Sequence, residues 1–422
     1  MAFAAVMTAC QREQEKLIAV PVQLLQFGDS LKMAAPVSLA SGVATYEKTT
    51  NENGIVDFKI PVGSYTASVS FKSGNTNFNG TKQVVIDEAF ADTVKIDITA
   101  SNSSALIIKE LYNGGCKQNN GTSNYINDKY IIIYNNSDTE VDASRMCLTM
   151  AQIVNTSSTN KYPVTNGIIE YEPLGWTPAN YGIWWFKKGT QVKIAPYSQI
   201  SIAITGAIDH TKTYTNSVDL SNVDYCLYHP ESGFNGAAQY PAPSTSIPAS
   251  NYMQTYEFGM GTAWAMPLNN AAPFILIPDE DVDITEWVKD EANFINRGTN
   301  KSTNYAKVPT TWVLDALEEW SAADETKYIL RFPSAVNTGY NVMVNALGYS
   351  QYRNVDKAAT EAIAGNAGKL VYNYAGAVSQ DDTDPSGIDA EASIAAGAKI
   401  VYMDTNNSAN DFHQRKVASL KK

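Results

Sequence analysis

The chain has 422 residues, and its 43 Asp and Glu side chains outnumber 31 Lys and Arg, giving a net charge of −12 and a pI of about 4.8. This length exceeds one ordinary hydrophobic core and predicts two or three domains. The acidic charge repels nucleic acid phosphates, so we expect no nucleic acid partner. The 24 Tyr and only 3 His side chains favour an extracellular β-protein over a metabolic enzyme.

The first nine residues, MAFAAVMTA, are apolar and small, and they run directly into a polar segment that begins with Cys10. This switch is typical of the end of a secretory signal. Cys10 after Met-Thr-Ala resembles the lipobox of bacterial lipoproteins, which implies lipid attachment at Cys10 and an anchor segment over residues 1–16. The alternative is a disordered N-terminus with one incidental cysteine. No later apolar run reaches about 18 residues, so we expect membrane contact through the lipid anchor only.

Residues 17–100 alternate between apolar and polar side chains, which predicts strands over 19–24, 56–60, 65–71, 84–86 and 94–98. Asn51-Glu-Asn-Gly54 supplies turn residues that tolerate a positive φ. The stretch from Thr49 to Val69 resembles the carboxypeptidase-regulatory-like domain, a transthyretin-like (prealbumin-like) β-sandwich. The resemblance implies this fold for residues 17–100 and is silent on function, because such modules are usually spacers.

A second block begins with strand patterns over 104–115 and 128–138, followed by Val141–Leu148. Together these segments resemble the lamin-tail domain, an immunoglobulin-like β-sandwich. The chain departs from the family pattern at Ile132, where the pattern has Glu, and at Met146, where it has Trp.

The closing patterns of the same family stand much later, at Gly348–Arg353 and Asp404–Phe412. The resemblance therefore implies one larger immunoglobulin-like domain over 103–422 with an insertion at about 150–345. Two sandwich-like units over the same span are the alternative.

Two segments have the pattern of a helix. Apolar residues at 313, 314, 317 and 320 follow a Thr cap at the start of Thr310–Trp320, and an alanine-rich stretch covers 356–364. We thus predict a mainly β chain with one or two short helices.

We expect no enzyme. His210, His229 and His413 lie in different polar contexts, and the chain lacks a Gly-x-Ser-x-Gly nucleophile elbow. No His-x-x-x-His or Cys-x-x-Cys spacing predicts a structural zinc site. No organic cofactor is expected.

One acidic loop is a candidate calcium site. Asp382, Asp384 and Ser386 stand at alternate positions before Gly387, and Ca²⁺ prefers six to eight oxygen ligands around a sharp glycine turn. Ser393 stands where a bidentate acid is expected. The alternative is an acidic, solvated turn.

Two aromatic clusters are the candidate ligand-binding surface. Trp176 and Tyr181 lie in the first cluster and Tyr256 and Trp264 in the second, and such rings suit a flat ligand with a polar rim. We expect Trp176 and Trp264 to be exposed because Pro and Gly flank them. The alternative reads the adjacent Ile183–Phe186 run as a strand of the core.

The three cysteines after Cys10 cannot all pair with one another. We expect one of two arrangements. Either Cys116 and Cys147 form a disulfide, or Cys116, Cys147 and Cys226 are three buried free thiols. Two tripeptides, around Ser30 and Thr93, resemble the O-glycosylation signal of Bacteroidetes, which implies sugar on these two side chains.

Lipobox, transthyretin-like domain and elaborated lamin-tail-like domain together resemble a family of Bacteroidetes outer-membrane lipoproteins. The resemblance implies a surface-facing, lipid-anchored partner of a TonB-dependent transporter. Such a partner captures a small nutrient, peptide or chelate for the transporter, or caps it. The alternative is a structural or adhesive surface protein that binds protein or glycan without import.

Overall fold

The computed structural model describes residues 16–26, 29–42, 44–73, 76–102, 104–151, 164–165, 168–259, 261–264, 266–296, 304–322, 328 and 331–421. The described chain is mainly β, which confirms the predicted fold class. It divides into two compact units. The first holds the described residues up to Phe71 with Gly80–Thr99, and the second holds Lys72–Asn79 with the described residues from Ala100 onward. No helix within these ranges is long and apolar enough to span a membrane.

The chain begins with nine strands: β1 Ile18–Gln26, β2 Asp29–Ser30, β3 Pro36–Ala40, β4 Thr45–Thr49, β5 Ile55–Ile60, β6 Gly63–Ser73, β7 Thr76–Ile86, β8 Val94–Asp97 and β9 Thr99–Asn102. One sheet has the order β2-β1-β5, with β8 pairing β1 in parallel, and the other has the order β4-β3-β6-β7-β9.

The strands of the first unit follow the predicted alternation. In β5 the side chains of Val56, Phe58 and Ile60 are buried, while the residues between them are exposed. The turn before β5 uses its glycine as predicted, because Gly54 has a φ of 73°.

The second unit carries the remaining strands, eleven of which form one large sheet. They are β10 Leu106–Tyr112, β11 Cys116–Lys117, β12 Asn124–Tyr125, β13 Tyr130–Asn135, β14 Val141–Asp142, β15 Cys147–Met150, β16 Val164–Thr165, β17 Ile168–Ile169, β18 Trp176–Asn180, β19 Gly182–Trp185, β20 Lys193–Ile194, β21 Gln199–Ala203, β22 Tyr225–Leu227, β23 Tyr252–Glu257, β24 Pro273–Leu276, β25 Phe294–Asn296, β26 Asn304–Pro309, β27 Val313–Ala316, β28 Glu319–Ser321, β29 Asn341–Met343, β30 Ser350–Arg353 and β31 Phe412–Arg415.

An eleven-stranded sheet organises this unit, in the order β27-β24-β15-β19-β23-β22-β21-β13-β10-β30-β31. Its first member in the sequence, β10, and its last member, β31, flank the late strand β30 and both pair with it. The two late segments that resemble the lamin-tail closing patterns therefore join the same sheet as β10 and β13.

Side chains on the two faces of β13 pack in different apolar clusters. Ile131 and Ile133 belong to the largest buried cluster of the unit, whereas Ile132 packs with Tyr112 and Tyr130 on the other face. Met146 is also fully buried in the largest cluster. Both departures from the lamin-tail pattern are thus apolar residues at fully buried positions.

The described helices are short: α1 Ile284–Trp287, α2 Lys357–Ala362, α3 Ala390–Ala395 and α4 Ser408–Asp411. The predicted helix near 356–364 is confirmed as α2, and the Asp356 side chain caps it by accepting a hydrogen bond from the Ala359 backbone N–H.

The predicted helix over Thr310–Trp320 is wrong. Only a single 3₁₀ turn covers Thr310–Trp312, and β27 and β28 follow. The apolar spacing is compatible with either period, and the segment is buried on two sides. Leu317 lies in the largest cluster while Ala316 lies in another, so strand pairing with β24 determined the conformation.

Candidate functional site

A groove of about 700 Å³ lies on the first unit, between the edge strands of its two sheets. Its lining comes from β4, β5 and one residue of β1: Ala19, Thr45, Tyr46, Glu47, Lys48, Asp57, Phe58 and Lys59. Sequence reasoning missed this groove, because the short, largely exposed strand β4 has only a weak apolar alternation.

The two strands that line the groove, β4 and β5, are edge strands of their sheets. In the described part of the chain β4 pairs with β3 alone and β5 pairs with β1 alone. The Leu24 N–H donates to the Gly54 carbonyl at 3.0 Å, and hydrogen-bonded pairs alternate along an antiparallel ladder. Asp57 and Lys59 therefore direct their backbone N–H and C=O groups away from β1, toward the open edge.

The side chains of the groove combine an aromatic ring with charges of both signs. Lys48 Nζ crosses from β4 to β5, donates to the Asp57 carbonyl oxygen at 2.7 Å and lies 5.6 Å from the centre of the Phe58 ring. The half-buried Tyr46 ring packs edge-on against Tyr65 with 6.2 Å between centres. Such a surface offers hydrogen bonds and a stacking face to a polar, extended ligand.

The four aromatic residues predicted to bind ligand do not form one surface. Trp176 is buried and stacks on Tyr171 at 4.0 Å, and Trp264 is buried against Trp184, so the expected exposure of both indoles is wrong. Both rings fill apolar clusters of the second unit, where their burial removes a large apolar area from water.

Tyr181 directly precedes β19, and Tyr256 lies on β23, the strand of the large sheet that pairs with β19. Tyr181 is half-buried with a φ of 64°, and Tyr256 is 39% exposed. The alternative interpretation of the adjacent run is confirmed, because Ile183 and Trp184 are fully buried in β19. Only Tyr256 of the four thus offers an exposed ring.

The residues of the predicted calcium loop make protein hydrogen bonds. The Asp382 carboxylate accepts from the Gln414 backbone and side chain, and the Asp384 carboxylate accepts from the backbone N–H groups of Val355 and Ser386. Ser386 Oγ accepts from Ile388. Among the described residues no three His, Cys, Asp or Glu side chains are grouped as metal ligands. Calcium binding here stays a prediction.

The predicted disulfide Cys116–Cys147 is not formed. Cys116, Cys147 and Cys226 are three buried free thiols, as the alternative interpretation stated. Cys116 Sγ donates to Asp128 at 3.6 Å, whereas Cys147 lies in a separate apolar cluster. Burial raises the pKa of each thiol to about 12, so all three are poor nucleophiles.

The remaining predicted modification sites lie at or before the first unit. Ser30 is exposed in β2, where its hydroxyl accepts a hydrogen bond from Gln23, and Thr93 is half-buried just before β8. Glycosylation of both stays a prediction. Cys10 lies outside the described residues.

The three histidines make separate contacts. His210 and His413 are buried, while His229 is half-buried beside Thr255. His413 Nδ1 donates to Asn354 Oδ1 at 2.7 Å, so its Nε2 accepts from the Tyr374 hydroxyl at 2.8 Å. Burial lowers the pKa of His413 to about 3, and the ring is therefore neutral at physiological pH.

A buried arginine joins the two late motifs of the second unit. Arg353 donates to the Ile108 and Met403 carbonyl oxygens at 2.6 and 2.8 Å and forms an ion pair with Asp315. Asp404 and Asp411 lie 3.7 Å from the same guanidinium. Every one of these side chains is buried, so the cluster stabilises the sheet edge rather than presenting a surface to a ligand.

These features define a two-unit, mainly β protein with an open-edged groove on its first unit. The family described as "Protein of unknown function (DUF4876)" matches residues 195–419, more than half of the sequence. The chain belongs to the DUF4876 family.

Solved structures similar to this chain include two from Bacteroidetes. A DUF4876 family protein from Bacteroides thetaiotaomicron VPI-5482 matches 95% of this chain and 96% of its own, at 22% identity and a TM-score of 0.53, which shows a shared fold. A DUF3823 family protein from Parabacteroides merdae ATCC 43184 matches 44% of this chain and 96% of its own, at 10% identity. Its TM-score of 0.17 is too low to support an argument. No curated protein matches the chain.

Proposed function

We propose that the protein is a non-enzymatic, lipid-anchored surface protein of the outer membrane, and that its first unit docks an extended segment of a TonB-dependent transporter. The observation that carries this proposal is the pair of open strand edges along the groove. An extended peptide adds to such an edge through backbone hydrogen bonds, and side-chain pockets beside the edge supply specificity.

The groove chemistry supports a peptide occupant. Asp57 and Lys59 turn backbone groups toward the opening, while Tyr46 offers a ring and Glu47 and Lys48 offer charges of opposite sign. A peptide strand presents the same combination of backbone donors, backbone acceptors and mixed side chains. In this view the unit serves as the docking element of the protein as well as its spacer.

The finer fold assignments belong to the same proposal. The first unit is a transthyretin-like sandwich, and the second is a lamin-tail-like sandwich elaborated by its long insertion. The adjacency of β10, β30 and β31 supports the second assignment, because it brings the early and late lamin-tail-like segments together.

Purification of the full chain from its own outer membrane in a mild detergent tests the function. We expect a stoichiometric TonB-dependent barrel, identified by mass spectrometry, and loss of that barrel from a Lys59→Pro variant, which lacks a backbone donor at the open edge. Recovery of the wild-type protein alone, or with filament subunits, would reject the uptake role and favour an adhesive one.

A matched pair of aromatic variants locates the contact. Tyr46→Ala removes the ring of the groove, and Tyr256→Ala removes an exposed ring of the second unit. We expect the first to weaken barrel recovery and the second to leave it unchanged. Equal recovery from both would show that the groove is not the docking site.

Lipid attachment has its own test. A Cys10→Ala variant should lose incorporation of labelled palmitate and move from the membrane to the soluble fraction. Retention of the variant in the membrane would contradict an anchor at Cys10.

A further inference from the structure

Three buried polar side chains meet where β10 ends and β13 begins. Asn113 directly follows β10 and Lys129 directly precedes β13, and Tyr112 and Tyr130 are facing residues of that antiparallel pair. Asn113 and Lys129 are the next facing pair in the same register, so their side chains leave the same face of the sheet.

Both side chains donate hydrogen bonds to backbone carbonyl groups of one short segment. Lys129 Nζ donates to the Met266 carbonyl oxygen at 2.5 Å, and Asn113 Nδ2 donates to the carbonyl of the adjacent residue, Pro267, at 2.8 Å. The two acceptors belong to successive residues, so both side chains end at the same short segment of the chain.

The third member is Glu319, the first residue of β28. Its Oε2 accepts from Asn113 Nδ2 at 2.7 Å and from the Ala271 backbone N–H at 3.3 Å. Its Oε1, like Asn113 Oδ1, has no hydrogen-bond partner among the described residues. Asn113 and Glu319 are fully buried, and Lys129 is 7% exposed.

Burial shifts both ionisable groups of this centre toward their uncharged forms. Burial lowers the pKa of Lys129 to about 8 and raises the pKa of Glu319 to about 8. A desolvated lysine that gives up its proton is a nucleophile, and a buried carboxyl group near its pKa can take and return a proton.

We propose that Lys129 and Asn113 become joined by an intramolecular amide (isopeptide) bond, with Glu319 as the proton-transfer group and ammonia as the product. Lys129 Nζ attacks Asn113 Cγ, so the Nζ–Cγ bond forms and the Cγ–Nδ2 bond breaks. As Lys129 Nζ turns from the Met266 carbonyl toward Asn113, Glu319 receives the proton that Nζ loses and delivers a proton to Nδ2, which leaves as ammonia. The step needs no oxidant, metal or other reactant.

The bond has a structural consequence. It closes the loop between β10 and β13 covalently, and that loop carries Cys116 and Asp128. A covalent closure restricts the unfolded chain as a disulfide does, but it is insensitive to reduction.

The intact mass of the full-length protein tests the proposal. We expect a mass lower by one ammonia than the sequence requires, and a branched proteolytic peptide in which Lys129 is joined to Asn113 and resists trypsin. A mass equal to that of the sequence, with two separate unbranched peptides, would overturn the proposal. This measurement on the wild-type chain does not depend on any variant folding.

Two variants assign the chemistry. Lys129→Met and Glu319→Gln should both recover the full mass while keeping the β-rich circular dichroism spectrum. Glu319→Gln should also unfold at a lower temperature than the cross-linked protein. Loss of ammonia that persists in Lys129→Met would assign a succinimide at Asn113-Gly114 instead and would reject the isopeptide bond.

An exposed lysine in the same loop is the matched control. Lys117 Nζ donates to Asn124 Oδ1 at 2.8 Å, so it also pairs with an asparagine, but the contact is exposed to water. Lys117→Met should retain the mass loss and the branched peptide. Loss of the branched peptide in this variant would contradict the assignment to Lys129.

Discussion

The guanidinium carbon of Arg353 lies 4.3 Å from the centre of the Phe412 ring, and the two are facing residues of β30 and β31. The contact joins two motifs that stand far apart in the sequence. The same guanidinium forms an ion pair with Asp315 on β27, the strand at the other end of the large sheet's strand order. One buried cation therefore connects three strands that the chain builds from separate segments.

Replacing this cation should be costly. Arg353→Met leaves Asp315 and Asp411 buried without their partner, and breaking a buried ion pair in this way costs about 3–5 kcal/mol. We expect that loss in the free energy of unfolding measured with urea. Lys289→Ala removes half of an exposed pair with Glu286 and should cost at most about 1 kcal/mol. Equal losses in the two variants would contradict the structural role of Arg353.

The neutral His413 predicts a pH dependence of stability. Its pKa is lowered from 6.5 to about 3 by burial, so the unfolded chain binds a proton near pH 6.5 that the folded chain does not bind until about pH 3. This contribution to stability is complete above pH 6.5 and is lost as the pH falls toward 3. Between pH 7 and 5 the loss is about 2 kcal/mol.

A His413→Gln variant isolates this contribution from other titrating groups. Burial also lowers the pKa of His210, which acts in the same direction, and raises that of Asp411, which acts in the opposite one. The difference in unfolding free energy between wild type and variant should therefore shrink as the pH falls from 7 to 5. A difference that is constant with pH would show that His413 titrates normally.

The three buried thiols make a prediction about reactivity. Iodoacetamide at pH 8 should leave Cys116, Cys147 and Cys226 unmodified in the folded protein, because burial blocks access and raises each pKa. In denaturant without a reductant all three should react, as read by peptide mass spectrometry. If Cys226 alone reacts under those conditions, Cys116 and Cys147 form a disulfide. A reduced sample gives the reference for full modification.

Gly54 predicts a stability change in the first unit. Its φ of 73° is unfavourable for a residue with a side chain, and an added Cβ would lie 2.0 Å from the Leu31 carbonyl oxygen. Gly54→Ala should therefore cost at least about 2 kcal/mol, measured by thermal or urea unfolding. Gly42 has open space around its Cα, so Gly42→Ala should change stability by less than about 0.5 kcal/mol. Similar stability of both variants would contradict the turn geometry.

Local patterns predicted the elements that depend on neighbouring residues. The alternation in β5 and the Asn51–Gly54 turn were predicted correctly, and so was the helix α2. These features depend on side chains within a few positions of one another. The segment from Thr310 was misjudged because its apolar residues fit two periods, and pairing with β24 decided between them.

The candidate functional residues were also harder to predict where they depend on contacts between distant segments. Trp176 and Trp264 carried an aromatic signal, but a ring suited to stacking on a ligand is equally suited to a core, and both rings are buried. The sequence contains no pattern that predicts the groove on the first unit, because the residues of the groove come from edges of two different sheets. The grouping of Asn113, Lys129 and Glu319 has no counterpart in sequence spacing.

The sequence by itself determined the mainly β character of this chain and the turns between its first strands. Alternation and turn chemistry act over a few residues, so they can be read directly from the order of amino acids. Only the tertiary structure decided which aromatic rings are buried, that Cys116, Cys147 and Cys226 stay unpaired, and that Lys129 faces Asn113 near Glu319. Those outcomes depend on strand pairings between distant segments, and burial in that context sets the pKa of each ionisable group.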